Sequence, residues 1–207
     1  LPDQVSVLSV PHSGENMWWS NNDTNWADSR LVQDFDLTGV AGAIELTFWT
    51  DYVIEELWDY NFVEVSTDGG SSWVQLADMD GITTSDDPFG RLVDYGNLQN
   101  GITGSSHGWI QMRFDLSAYA GMEISLRFRQ ATDAAFLERG MFVDDIEIAA
   151  IGFFDDAETE GNWTSDSQAF VGEPGAGWVL TTGSFTFPHY YMVEWRNLDG
   201  FDAGLEY

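Results

Sequence analysis

Hydrophobic and polar positions alternate with a period of two along most of this chain. Residues 43–50 (AIELTFWT) put Ile44, Leu46 and Phe48 on one face and Glu45, Thr47 and Trp49 on the other. That is the signature of a half-buried strand. Residues 109–114 repeat it, with Ile110, Met112 and Phe114 set against Gln111 and Arg113. Residues 123–129 set Ile124, Leu126 and Phe128 against Ser125, Arg127 and Arg129, and residues 141–148 close the series. Residues 62–66 and 73–76 read as two strands around Thr67-Asp68-Gly69-Gly70-Ser71, whose Asp-Gly chemistry suits a hairpin turn. No stretch shows a convincing amphipathic helix. Short strands with Gly and Asp turns at this spacing predict an all-β protein, a jelly-roll β-sandwich followed by a smaller β segment.

Two polar stretches interrupt the strands: the opening, residues 13–28, rich in Asn, Asp and Trp, and residues 78–107. Both read as loops, and loops that long are usually functional or held by ions or partners. A break near Ala149-Ala150-Ile151-Gly152 divides the chain into residues 1–150, the sandwich, and residues 151–207. The second part reads either as the start of another β domain or as strands packed on the first, with a strand expected over 190–196 (YYMVEWR).

Composition narrows the function. The 207 residues include 35 acidic and 7 basic side chains, a formal charge of −28, and every basic residue is an arginine. Such a surface repels phosphates and anionic headgroups, so neither nucleic acid nor a lipid surface is an expected partner. It suits divalent cations and saline surroundings. Without cysteine, thiolate zinc sites and disulfide frameworks are excluded. No apolar run reaches the ~20 residues of a membrane span. Leu1-Pro2-Asp3-Gln4 is not the start of a signal peptide, and the abrupt ends suggest a fragment of something longer.

A set of strings, in order, resembles the immune inhibitor A family of secreted bacterial zinc metallopeptidases, in the region after the catalytic domain. They are residues 52–60 (YVIEELWDY), 63–70 (VEVSTDGG) with Trp73, 101–105 (GITGS), 114–121 (FDLSAYAG), 127–129 (RFR), 132–133 (TD), 143–146 (VDDI) and 188–197 (PHYYMVEWRN). The resemblance implies a MAM-like jelly roll over 1–150, closed by the strand carrying Val143-Asp144-Asp145-Ile146, and then the start of the family's next β domain. It implies a secreted, extracellular protein whose partner is the remainder of the parent polypeptide, including a protease domain, with a cell-surface protein or glycan as a further target. The family's His-Glu-x-x-His helix is absent; the histidines are His12, His107 and His189, without a metal-ligand pattern. No catalytic residue is therefore expected, and the chain itself is not expected to be an enzyme.

In jelly rolls of the type resembled, an ion ties the opening segment to the final strand. That implies a structural Ca²⁺ held by Glu15 and Asp28 from the opening and Asp145 from the closing strand. Asp144 and Asp145 point to opposite faces if extended, which allows one of them as a ligand. The alternative is that Asp145 caps a turn or pairs with Arg127 or Arg129. The tryptophans raise a competing function, a carbohydrate-binding module stacking sugars on Trp18, Trp19 and Trp26 near the start or on Trp49, Trp58 and Trp109 in or beside strands; ordinary core packing is the other reading of the same rings.

Overall fold

The structure, a computed structural model, describes residues 3–187. The expected strand at 190–196, the string at 188–197 and His189 lie outside the described residues. Among the described residues there are fourteen strands: β1 Gln4–Val7, β2 Met17–Trp19, β3 Ala27–Asp36, β4 Glu45–Ile54, β5 Tyr60–Ser66, β6 Val74–Gln75, β7 Gly104–Ser105, β8 Ile110–Asp115, β9 Glu123–Ala131, β10 Gly140–Ile148, β11 Phe153–Asp155, β12 Thr164–Ala169, β13 Val179–Thr181 and β14 Ser184–Phe187. One α-helical turn, α1 Arg91–Asp94, lies between β6 and β7.

One antiparallel sheet runs β12-β3-β9-β5-β6. The facing sheet runs β13-β2-β10-β4-β7, with β11 on β10 and β8 on β4. Successive long strands cross between the two: β3, β5 and β9 belong to the first sheet, and β4, β8 and β10 to the second. That alternation is the jelly-roll sandwich the period-two pattern predicts. The apolar face of each strand fills the space between the sheets. Ile44, Leu46 and Phe48 are buried there with Met112, Phe114, Ile124, Leu126 and Phe128. Phe48 meets Phe128 edge-on at 5.0 Å between ring centroids.

Several local features follow from sequence. The β5–β6 hairpin turns through Gly69 (φ 66°) and Gly70 (φ 85°), and Asp68 holds it by accepting from the Ser72 N–H at 2.9 Å and hydroxyl at 2.7 Å. The opening stretch is not all loop: β2 slots between β10 and β13, with all three residues buried. Residues 78–107 contain α1 and β7, and Leu92, Tyr95 and Leu98 pack with Tyr60 and Phe62 in a second apolar cluster. Beyond residue 151, β11, β12 and β13 pair with β10, β3 and β2, and Trp163 and Trp178 enter the main core.

Candidate cation site

Seven carboxylates among the described residues are nine-tenths buried or more: Asp28, Asp51, Asp59, Glu64, Asp78, Asp133 and Asp144. A buried charge is costly unless it is paired or richly hydrogen-bonded. Asp28 accepts from Arg129 at 2.7 Å and Arg30 at 2.5 Å. Glu64 accepts from Arg127 and Gln75. Asp51 takes Arg139 and the Ser9 hydroxyl. Asp78 takes the N–H groups of Asp80, Ile82 and Thr83. Asp144 takes those of His12, Ser13 and Asp145. Burial nevertheless pushes the Asp144 carboxyl up to about 6, against those N–H donors.

Asp59 and Asp133 are the two without such compensation. Asp59 accepts one bond, from the Asp133 N–H at 2.8 Å. Asp133 accepts one, from the Ala135 N–H at 3.1 Å. Instead of a cation they face each other and Glu55: one ligand oxygen from each of the three lies within 4.8 Å of the others. Burial, the neighbouring Asp133 and Glu55 raise the Asp59 carboxyl to about 8, although the Asp133 N–H pulls the other way. Glu55 is pushed up too, by burial and then by Asp133 and Glu138.

The described cations are committed elsewhere. Each described arginine (Arg30, Arg91, Arg113, Arg127, Arg129 and Arg139) forms an ion pair with another carboxylate, and the sequence has no lysine.

The crossover from β4 to β5 builds this group. Glu55 leaves β4, Leu57 turns in the left-handed region (φ 64°), and the N–H groups of Trp58 and Asp59 close the turn on the Glu55 carbonyl. Thr103 donates its hydroxyl to that same carbonyl and accepts the Leu57 N–H. Tyr95 donates its phenol to the Trp58 carbonyl at 2.8 Å. Asp133 comes from the end of β9, where its carbonyl accepts the Trp26 N–H. Three hard oxygen donors, two on a braced turn and one after β9, match the preference of Ca²⁺ for carboxylates, with the rest of its six to eight ligands left to water or backbone.

The residues expected from sequence have separate partners. The Glu15 N–H donates to Glu158 at 2.6 Å. Asp28 sits between two arginines on the outer face of the five-stranded sheet. Asp145 bonds the His12 ring at 2.6 Å and the Ser13 hydroxyl at 2.7 Å. The opening segment and closing strand are thus joined directly. A register shift between Asp144 and Glu147, with Asp145 at φ 48°, lets both aspartates reach the opening segment, which simple alternation does not allow. Arg127 and Arg129 pair with Glu64 and Asp28, not with Asp145.

Trp18 and Trp19 are 3% and 6% exposed, and Trp19 stacks on Phe142 at 5.8 Å, so neither offers a face to sugar. His107 is exposed, and its N–H donates to the Ser105 hydroxyl at 3.1 Å. The signals for Glu55, Asp59 and Asp133 were in the strings at 52–60 and 132–133, but nothing in one dimension joins them.

A family profile described as "Immune inhibitor A-like, MAM domain" matches residues 1–174. Pre-pro-metalloprotease PrtV of Vibrio cholerae is 32% identical over 94% of the chain, which spans 19% of that protein. Immune inhibitor A of Bacillus thuringiensis subsp. alesti is 28% identical over 100% of the chain, which spans 27% of it. Bacillopeptidase F of Bacillus subtilis is 26% identical over 66% of the chain, which spans 8% of it. No helix among the described residues is long and apolar enough to cross a membrane.

Proposed function

The chain belongs to the immune inhibitor A-like MAM domain family, and from that premise we propose that it is a non-catalytic accessory module of a secreted metallopeptidase, stabilised by Ca²⁺. In this reading it supports the protease or holds it to a surface target. The observation that carries the module reading is the similarity to PrtV and Immune inhibitor A, of which this chain is a minor part. The sugar-binding alternative loses Trp18 and Trp19, which are buried in the core, and would rest on the half-buried Trp26, Trp49, Trp58 and Trp109. Peptide hydrolysis by this isolated chain would overturn the accessory reading.

The observation behind the cation is the Glu55–Asp59–Asp133 group, two of its members buried without a counter-charge. Bound there, Ca²⁺ supplies positive charge that joins the β4–β5 crossover to the end of β9. The opening-segment set of Glu15, Asp28 and Asp145 is the rival location. An ion that binds only the folded state raises stability by about 2.7 kcal/mol at 100 times its dissociation constant. Melting with Ca²⁺, and with Mg²⁺ at equal ionic strength, separates binding from general screening of the −28 charge. Mg²⁺ demands a tighter octahedral shell and should substitute poorly. Asp59→Asn should abolish the Ca²⁺-specific shift and Asp145→Asn should leave it. The reverse result moves the ion to the opening segment, and equal shifts for both metals dispose of it.

A further inference from the structure

Asn61, the second residue of β5, is 1% exposed, yet neither the nitrogen nor the oxygen of its side-chain amide has a hydrogen-bond partner among the described residues. We propose that the Asn61 amide oxygen is a further ligand of the cation held by Glu55, Asp59 and Asp133. The proposal rests on the cation reading above and deepens it, adding a neutral oxygen to three carboxylates.

Three observations carry it. First, the backbone of Asn61 is satisfied: its N–H donates to the Ile102 carbonyl at 2.9 Å, and its carbonyl accepts the Ile102 N–H at 2.7 Å. The orphaned group is the side chain alone, and an amide buried without a partner is costly. Second, β5 directs that side chain between the two sheets. Val63 and Val65, two and four residues on, lie in the main core, whereas Tyr60 and Phe62 turn to the second apolar cluster. Asn61 stands directly across from Gln130, and Gln130 from Ser29, so a polar row crosses the inner face of the sheet. Gln130 is relieved by the Asn21 carbonyl, and Asn61 has no such relief. Third, the acidic group closes the same end of the sandwich. Asp59 precedes Asn61 by two residues, and its ligand oxygen lies within 4.8 Å of that of Glu55, which follows the last residue of β4 in the facing sheet. Two residues span at most about 7 Å of chain. One ion with Ca–O distances of about 2.3–2.6 Å can bridge side chains so spaced, and Ca²⁺ takes amide carbonyls beside carboxylates.

The test uses the whole chain. NMR follows the nitrogen and carbonyl carbon of the Asn61 side-chain amide, which report coordination of its oxygen. Ca²⁺ should move both signals, along the same saturation curve as the melting shift. Signals that stay in place while the Ca²⁺-specific melting shift is present overturn the proposal without any substitution. In that case a cross-peak from the amide to water identifies water as the occupant, and the cation reading stands. Asn61→Leu removes the oxygen at similar volume. It should weaken Ca²⁺ binding, measured by calorimetry, by at least about tenfold, a loss that even an outer partner of a metal site produces. Metal-free Asn61→Leu should be no less stable than the parent, because an apolar side chain replaces an unpartnered amide. Ser29→Ala trims the same polar row two strands away, about 10 Å from Asn61, and should change Ca²⁺ affinity less than about twofold. Equal losses in the two variants would mean that the polarity of the row, not ligation, matters, and overturn the proposal. If Asn61→Leu does not fold, the amide signals of the unaltered chain decide. If the unaltered chain shows no Ca²⁺-specific melting shift, the cation reading itself falls and the proposal falls with it.

Discussion

The outer face of the five-stranded sheet and the β4–β5 end of the sandwich both bury carboxylates, and they solve the problem in opposite ways. On the sheet, Asp28 and Glu64 lie within a lattice of Arg30, Arg127 and Arg129, with Arg127 also stacked over Trp73 at 3.9 Å. At the end of the sandwich, Glu55, Asp59 and Asp133 face one another with no arginine among the described residues. The first arrangement is complete within the described residues. The second would take a proton or a cation from outside them. Burial alone therefore does not set the two regions apart; compensation by a described cation does.

The largest effect should come from breaking the completed lattice. Arg129→Met removes the cation between Asp28 and Glu64, whose carboxylates it meets at 2.7 and 3.7 Å. Removing one partner of a buried pair typically destabilises by about 3–5 kcal/mol, because the other charge is stranded. Urea unfolding should show that loss with or without Ca²⁺. A loss that Ca²⁺ repairs would mean that the two regions are not independent.

The second effect depends on pH and belongs to the incomplete region. An aspartate in the unfolded chain titrates near about 3.9, whereas Asp59 in the folded protein is held up to about 8. Between those values the folded state binds the extra proton. Stability from this group is thus full below about pH 4 and is lost as pH rises toward and through 8. Metal-free protein should become easier to unfold by urea from pH 6 to pH 9, beyond what other groups contribute. Saturating Ca²⁺ should flatten that slope. A metal-free slope that Asp59→Asn leaves unchanged would remove Asp59 as its source.

Asp59→Asn should also give a signed change in metal-free protein. At pH 6 the wild-type carboxyl is neutral in the folded protein but ionised in the unfolded chain, so the variant should already be more stable, by about 1.4 kcal/mol for each pH unit above about 3.9. At pH 9 the gain should be larger still, levelling off once the folded carboxyl has also ionised. A loss of stability at both pH values would mean that the carboxylate makes a needed contact in the absence of metal.

The two regions were unequally legible in the sequence. The strands showed because alternation is a local signal, and Ile44, Leu46 and Phe48 or Ile124, Leu126 and Phe128 lie where it put them. The opposite face of β9 was misleading. Arg127 and Arg129 alternate as solvent-facing residues should, yet both are 7% exposed, because Glu64 and Asp28 on neighbouring strands receive them. The buried state of β2 was hidden by the Asn- and Asp-rich residues around it. The acidic group was the least legible part. Glu55 and Asp133 are far apart in the chain, and a protein with 35 acids offers many carboxylate pairs that mean nothing.

The smallest expected effect concerns a third carboxylate, and it tests the rule that separates the other two. Arg113 holds Asp80 through two bonds, at 3.1 Å from its Nε and at 2.6 Å from Nη2. By geometry this pair resembles Arg129–Asp28. It differs in exposure: the two side chains are 41% and 40% accessible. Water already solvates both charges, so ordering two long side chains offsets most of the attraction that salt leaves unscreened. Arg113→Gln should leave the urea midpoint within error of the parent and insensitive to added salt. If it instead destabilises the protein as much as Arg129→Met, ion-pair geometry rather than burial sets the strength of these contacts. The contrast between the compensated sheet face and the uncompensated end would then lose its physical basis.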